Sequence, residues 1–431
     1  MRKPSIKKVF MKKVKTTPKS IRNYKNLISD ELYCQILDLA KKLKGSRVVF
    51  VNSTRNGGGV AEILQSEIPL LNDLGINAVW YNIEAEPEFW DVTKSIHNAL
   101  QGNGRIVITK NMRKVFERFN ALNAHDLKRE SWDYLYIHDP QPVALPYFLD
   151  GEVGNAVWRC HIHVSKVNRQ VWEYIKRYLG DYDSCVFSLK EFVPSDIPIK
   201  KRFIIPPAID PLTPKNIKMD RMKARRILDK MGIDTRRPIV SQVSRFDPWK
   251  DPVGVIKAFE VAKQKLPDIQ LVMAGSLASD DPEGEKIYKE LKTFSAKAKD
   301  IKILKGLSEE QINALQTVSS VVVQKSIKEG FGLTVAEAMY KETPVIGGNV
   351  GGIKMQIIDG KNGFLVDNCM QCGKRIVDLL EDTHLRLNMG RMGKEVSSKY
   401  FLLPRLIRDE LLLFNKFSYS KENLVKSNIL F

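Results

Sequence analysis

Cysteine, long apolar runs and, over one segment, acidic residues are what this sequence lacks. Its five cysteines, Cys34, Cys160, Cys185, Cys369 and Cys372, are an odd set with no disulfide framework, which points to a reducing compartment. Cys369 and Cys372 form a single CxxC with neither a second pair nor a nearby histidine pair, so no metal site is expected. No segment approaches the roughly 20 apolar residues of a membrane helix, and the basic start lacks the apolar stretch of a cleavable signal. The expectation is a cytoplasmic protein with no membrane partner. The first 25 residues hold ten Lys or Arg and no Asp or Glu, about half of the formal net charge of +19. Residues 1–27 therefore read as a flexible basic arm. Contact with nucleic acid or an anionic surface would suit such an arm, but its only aromatics are Phe10 and Tyr24 and it carries no groove-reading motif. Nucleic acid is not the expected partner.

What is present is an alternation. With 431 residues and 43% hydrophobic content the chain can bury two cores. RVVFVNS, INAVWYNI, YLYIHD, VWRCHIH and RFIIPPA in the first half, then PIVSQVS, IQLVMAGS, IKILKG, SVVVQKS, PVIGG and GFLVD, are short apolar runs separated by helical patterns. That order predicts an α/β fold with parallel sheets covered by helices on both faces. The proline-rich PPAIDPLTPKN, residues 206–216, reads as the hinge between two Rossmann-like halves. The expected organisation is the arm, an N-terminal Rossmann-like domain over 28–210, a C-terminal one over 211–400, and a helical segment over 401–431. That last segment, broken at Pro404, would cross back to the first domain.

Three stretches carry chemistry. In SIKEGFGLTVAEAMYKETPVIGGNVGGI, Glu329 and Glu337 stand with seven residues between them, around a Gly-Phe-Gly turn that feeds a predicted helix from Leu333 to Tyr340. One carboxylate falls on the loop and the other about a turn inside the helix, near amides that favour phosphate. A sugar nucleotide needs amides and cations around its diphosphate and acceptors for the hydroxyls at either end. Two glutamates near a helix start are more often capping and surface charges, so the pair gains weight only from its company. That company is VSRFDPWKDP, where Arg245 ends a strand and Lys250 opens the next helical stretch at the ligand-binding edge of an α/β sheet. The third is VVFVNSTRNGGGVAEIL, a strand broken by Gly57, Gly58 and Gly59. This run fits neither GxGxxG nor GxxxxGK[ST], and a plain tight turn accounts for it about as well.

Together these stretches resemble the retaining GT-B glycosyltransferases that share the E-x7-E pattern. The likeness is stronger to one family 4 branch, the trehalose synthases that join nucleotide-activated glucose to free glucose. It is carried by VNSTRNGGGVAEIL, DVTKSIHNALQGN (91–103), YIHDPQP (136–142), WRCHIHVS (158–165), PPAIDPL (206–212), QVSRFDPWKDP, DDPEG (280–284), and IKEGFGLTVAEAM followed by PVIGGNVGGI. The resemblance implies a GT-B fold with two domains facing a central cleft. It places Gly58 and Gly59 at the donor diphosphate and reacting sugar, and Arg245 and Lys250 on the phosphates. Glu329, with Gly332 and Leu333 beside it, would take the donor hexose, and Glu337 the ribose. His161 would face the reacting carbon, and Asp139, Gln141 and His163 the acceptor; His161, Arg245, Lys250 and Glu329 are the catalytic group. No cofactor is expected to be tightly bound: ADP-, UDP- or GDP-glucose would come and go as donor substrate, with magnesium entering only alongside the nucleotide. A homodimer is implied too.

One position departs from that branch, which carries an acidic residue where this chain has His163. A carboxylate accepts several hydrogen bonds from a sugar, whereas a neutral imidazole accepts one. Acceptor identity thus stays open between free glucose and another acceptor, and a retaining trehalose phosphorylase acting on α-glucose 1-phosphate is the nearer alternative. The resemblance further implies front-side attack with retention, since no carboxylate presents itself as the nucleophile of a double displacement.

Overall fold

The computed structural model describes residues 11–55, 57–149, 153–164, 167–276 and 282–419. Residues 1–10 of the expected arm, Ser165 of WRCHIHVS, the first two residues of DDPEG and the end of the C-terminal segment, 420–431, lie outside them.

The chain divides into two compact units, one of Met1–Pro206 with Leu406–Phe431 and one of Pro207–Arg405. The first carries strands β1 (Lys12–Lys13), β2 (Arg47–Asn52), β3 (Asn77–Asn82), β4 (Tyr134–His138), β5 (Ala156–Cys160), β6 (Ser184–Phe187) and β7 (Lys201–Ile204). They form one sheet in the order β1-β3-β2-β4-β5-β6-β7, with β1 antiparallel to β3 and the six others parallel. Every residue of β4, β5 and β6 is buried, as befits strands covered on both faces. The second unit carries β8 (Ile239–Arg245), β9 (Gln270–Ser276), β10 (Ile301–Lys305), β11 (Val321–Gln324), β12 (Val345–Gly348) and β13 (Phe364–Val366). These form an all-parallel sheet in the order β10-β9-β8-β11-β12-β13.

Two results differ from the sequence reading. Residues 11–27 do not lie as an arm: β1 pairs Lys12 with Asn82 and Lys13 with Tyr81, and the 3-10 helix Ile21–Leu27 buries Ile21 and Tyr24. Burial of those two side chains and the capture of the Ile21 N–H by Asp73 Oδ2 at 2.8 Å outweigh the local charge, which stays on exposed lysines. The chain also passes between the units at Pro206–Pro207, inside the proline-rich stretch and a few residues before the expected boundary.

The helix Leu403–Tyr419 leaves the second unit at Arg405 and continues in the first. There Glu410, fully buried, forms an ion pair with Arg159 of β5, and Tyr136 Oη donates to Glu410 at 3.3 Å. Glu67, on the helix Gly59–Asp73, is buried against the same group. Burial, then the charge of Glu410, push its carboxyl well above the ordinary range.

Candidate active site

In parallel sheets the carboxyl ends of all strands open on one edge, and the loops leaving them reach ligands. In the first unit that edge collects the expected residues from β2, β4 and β5. After β2 the chain turns through Gly57 and Gly58, at φ of 78° and 92°, into the helix that Gly59 opens. A side chain at Gly57 or Gly58 would meet nothing within 4 Å, so these positive dihedrals are set by the turn and the space beside them is open. After β4 comes Asp139, at φ 65°. Its N–H donates to Arg159 O at 2.8 Å, its carbonyl accepts the Trp158 indole N–H at 3.1 Å, and its Oδ1 accepts the His161 N–H at 2.9 Å. Burial pushes the Asp139 carboxyl up to about 6, against the pull of the His161 N–H and of Arg159.

His161 follows β5, half-buried, with its Nε2 3.1 Å from Nδ1 of His138, the last residue of β4. Burial first, and then the Arg159 charge, hold both imidazoles well below their usual pKa, so both are neutral near pH 7. His163 lies on Phe192, ring centroids 4.5 Å apart and 22° from parallel. Gln141 keeps its Oε1 buried without a partner among the described residues.

The second unit's edge carries the charged groups. Asp247 organises the turn after β8: Oδ1 accepts the Trp249 N–H at 2.8 Å and Oδ2 accepts Arg245 Nη2 at 3.2 Å. Gln242 holds the Lys250 carbonyl at 2.8 Å, and Asp251, left-handed at φ 48°, caps the next helix through the Gly254 N–H at 3.1 Å. Thus fixed, Lys250 reaches Glu329 Oε2 at 2.5 Å. Ser326 Oγ donates to the same oxygen at 3.3 Å. Gly332, at φ 84°, turns the loop into the helix Leu333–Tyr340, whose first turn Thr334 ties to Val243 O of β8 at 3.0 Å. Glycine is required nearby for a different reason: a Cβ at Gly352 would lie 2.4 Å from the Phe331 Cα, and the Gly352 N–H donates to the Glu329 carbonyl at 3.2 Å.

Lys250, Glu329, Gly332 and Leu333 are thus brought together, with Arg245 on the same edge but paired to Asp247. Glu337 is placed otherwise than expected for an open ribose acceptor. It is 1% exposed, with Oε1 on Lys215 Nζ at 2.7 Å and Oε2 accepting Gln316 Nε2 at 3.0 Å. Burial raises its carboxyl, and Lys215 and Lys341 pull it back below the ordinary range. A charge removed this far from water needs such a cation. Lys215, Gln316 and Ser326 escaped the sequence reading, as did the partnership of His138 with His161. Nothing in local pattern marks Lys215 or Gln316, whereas Ser326 opens the SIKEGFGL stretch and His138 lies inside YIHDPQP. Among the described residues no group of three or more His, Cys, Asp or Glu could hold a metal, and no helix is long and apolar enough to cross a membrane.

The chain is similar to known proteins in sequence and in fold. Residues 50–194 match the family described as trehalose synthase, N-terminal domain, and residues 223–396 the one described as glycosyl transferases group 1. The chain is 41% identical to a trehalose synthase of Pyrococcus horikoshii, over 94% of this chain and 98% of that one. It is also 41% identical to a trehalose synthase of Rubrobacter xylanophilus, over 94% and 99%. Among solved structures it resembles a UDP-forming α,α-trehalose-phosphate synthase from Burkholderia xenovorans, with a TM-score of 0.70 at 16% identity, covering 87% of this chain and 100% of that one. Two parallel α/β units of this topology, and identity sustained over nearly the whole length, place the chain in the trehalose synthase family of GT-B glycosyltransferases.

Proposed function

We propose that this protein transfers glucose from a nucleoside-diphosphate glucose to free glucose, with retention, giving α,α-trehalose, and that the reaction runs in both directions. The observation that carries the reading is the Lys250–Glu329 pair at 2.5 Å beside the N-terminus of the helix Leu333–Tyr340. It sets a cation, a hydroxyl acceptor and free amides side by side, which is what a glycosyl diphosphate requires.

In this reading Lys250 and Arg245 hold the diphosphate with the amides around Gly332 and Leu333, and Glu329 accepts hydrogen bonds from the donor hexose. Gly58 and Gly59 leave room for the phosphates and reacting sugar, and His161 stands at the reacting carbon. Asp139, Gln141 and His163 contribute to the acceptor glucose. The bond from the donor anomeric carbon to the phosphate oxygen breaks as the bond to the acceptor oxygen forms on the same face. The acceptor's hydroxyl proton passes to the departing phosphate oxygen, whose charge Lys250 and Arg245 stabilise. Catalysis is then mainly positioning and electrostatics. Magnesium would arrive only with the nucleotide.

The engagement of both Glu337 oxygens by Lys215 and Gln316 favours a second reading, a retaining phosphorylase that takes glucose 1-phosphate and has no ribose to bind. Incubation with glucose and, separately, ADP-, UDP- or GDP-glucose or glucose 1-phosphate tests both. Trehalose formed in step with nucleotide release supports the synthase, and trehalose formed only from glucose 1-phosphate replaces it with the phosphorylase. Nucleotide released without trehalose keeps the donor chemistry and moves the acceptor away from glucose.

A further inference from the structure

His138 and His161 are joined edge to edge. Their rings lie within 9° of a common plane, centroids 5.4 Å apart, with His138 Nδ1 3.1 Å from His161 Nε2. Such a contact between neutral imidazoles needs a proton on one nitrogen and a lone pair on the other, so the tautomers of the two rings are locked together.

The surroundings decide which way the bond runs. His138 is 2% exposed, walled by the Phe50 and Tyr136 rings and opposite Arg159 in the β4–β5 register. Its Nε2 is buried without a partner among the described residues. Were the bond donated by His161, the proton of His138 would sit on that Nε2, leaving a buried N–H with no acceptor in the positive field of Arg159. Donation from His138 Nδ1 leaves only an unused lone pair there, which that field favours. A second proton on His138 is opposed by its burial and by the same guanidinium.

We infer that His138 is a positioning residue that donates from Nδ1 to His161 Nε2 and so fixes His161 as the Nδ1–H tautomer. His161 is held at its backbone as well, by Asp139 Oδ1 at 2.9 Å, and its Nδ1 has no partner among the described residues. Building on the proposed transfer reaction, the ring offers the donor sugar one hydrogen-bond donor and no acceptor. A hydroxyl must therefore present its oxygen lone pair to His161, which fixes the hydroxyl's own proton toward another group.

The test begins without substrate. In protein labelled with 15N-histidine, long-range 1H–15N correlation spectra should show His161 protonated on Nδ1 and bare at Nε2 across about pH 6 to 8. A proton on His161 Nε2 overturns the inference, whatever the enzyme turns out to transfer. Kinetics supply the second arm. His138→Phe keeps the ring volume and removes the donor, and is expected to lower kcat about 10²-fold with donor KM little changed. His138→Asn, whose amide N–H falls near the position of Nδ1, should recover most of that loss and restore the His161 signature. Equal kcat in His138→Phe and wild type contradicts the inference. Should His138→Phe not fold, the wild-type spectrum and the His138→Asn variant decide the matter.

Discussion

Lys250 and Glu329 meet at 2.5 Å although the chain brings them from different strands, one from the turn after β8 and the other from the loop after β11. Each is less than one-fifth exposed, so the pair is organised before any donor arrives. In the proposed reaction the charge that Lys250 meets would grow as the phosphate leaves, so Lys250→Ala should cost turnover more than affinity. A fall in kcat of about 10²–10³ with a much smaller rise in donor KM is expected, by analogy with loss of one charge-stabilising donor. Steady-state kinetics at saturating donor check this; a loss confined to KM would remove Lys250 from the transition state.

Gly352 and Gly58 should respond in opposite ways to the same substitution. Gly352→Ala drives a Cβ to 2.4 Å from the Phe331 backbone and must shift the loop that carries Glu329. Gly58→Ala meets no neighbour, only the cost of holding a side chain at φ 92° and ψ 155°, of order 1–3 kcal/mol. Thermal melts and donor binding are expected to show disrupted donor binding in Gly352→Ala, and in Gly58→Ala a fold retained with modest loss of stability.

Glu410→Ala removes the ion-pair partner of the buried Arg159, for which about 3–5 kcal/mol of destabilisation is expected. Glu67→Gln should act differently. The folded protein holds the Glu67 proton to higher pH than the unfolded chain does. Stability from this group is therefore complete below the unfolded pKa of roughly 4.3 and declines as pH rises toward the folded value. Replacing it with Gln removes that decline, and melting temperatures taken from about pH 4 to 8 should flatten on the alkaline side.

Asp139 obeys the same sign at a defined place. Its carboxyl titrates at about 6 in the fold and lower when unfolded, so stability falls as pH rises through the interval up to about 6. Asp139→Asn keeps an oxygen for the His161 N–H and loses the titration. Its melting temperature relative to wild type should rise between about pH 4.5 and 7.5, by the equivalent of about 1–3 kcal/mol. A difference independent of pH would show that Asp139 is not held in a desolvated place.

The alternation of apolar runs in the sequence locates every strand of the second sheet and five of the first, because parallel strands buried on both faces are continuous in apolar residues. It passes over β6, whose four residues begin with Ser184 and Cys185, and β1, two exposed lysines placed by pairing with β3. The glycine turn and the charged turn after β8 are legible because local chemistry makes them. The partner of Glu337 is not, since Lys215 comes from the stretch after the unit boundary and reaches it only through the fold. His138 falls between these cases: visible in HDPQ beside the aspartate, but given its role by a neighbouring strand.

The proposed reaction moves glucose from a nucleotide to glucose with retention. Its most direct measurement is 13C NMR of the disaccharide formed when the protein is given unlabelled glucose and nucleoside-diphosphate glucose labelled at the anomeric carbon. Labelled α,α-trehalose appearing in step with free nucleotide is the predicted result. A labelled carbon in the β configuration, or label released only as free glucose, would contradict it.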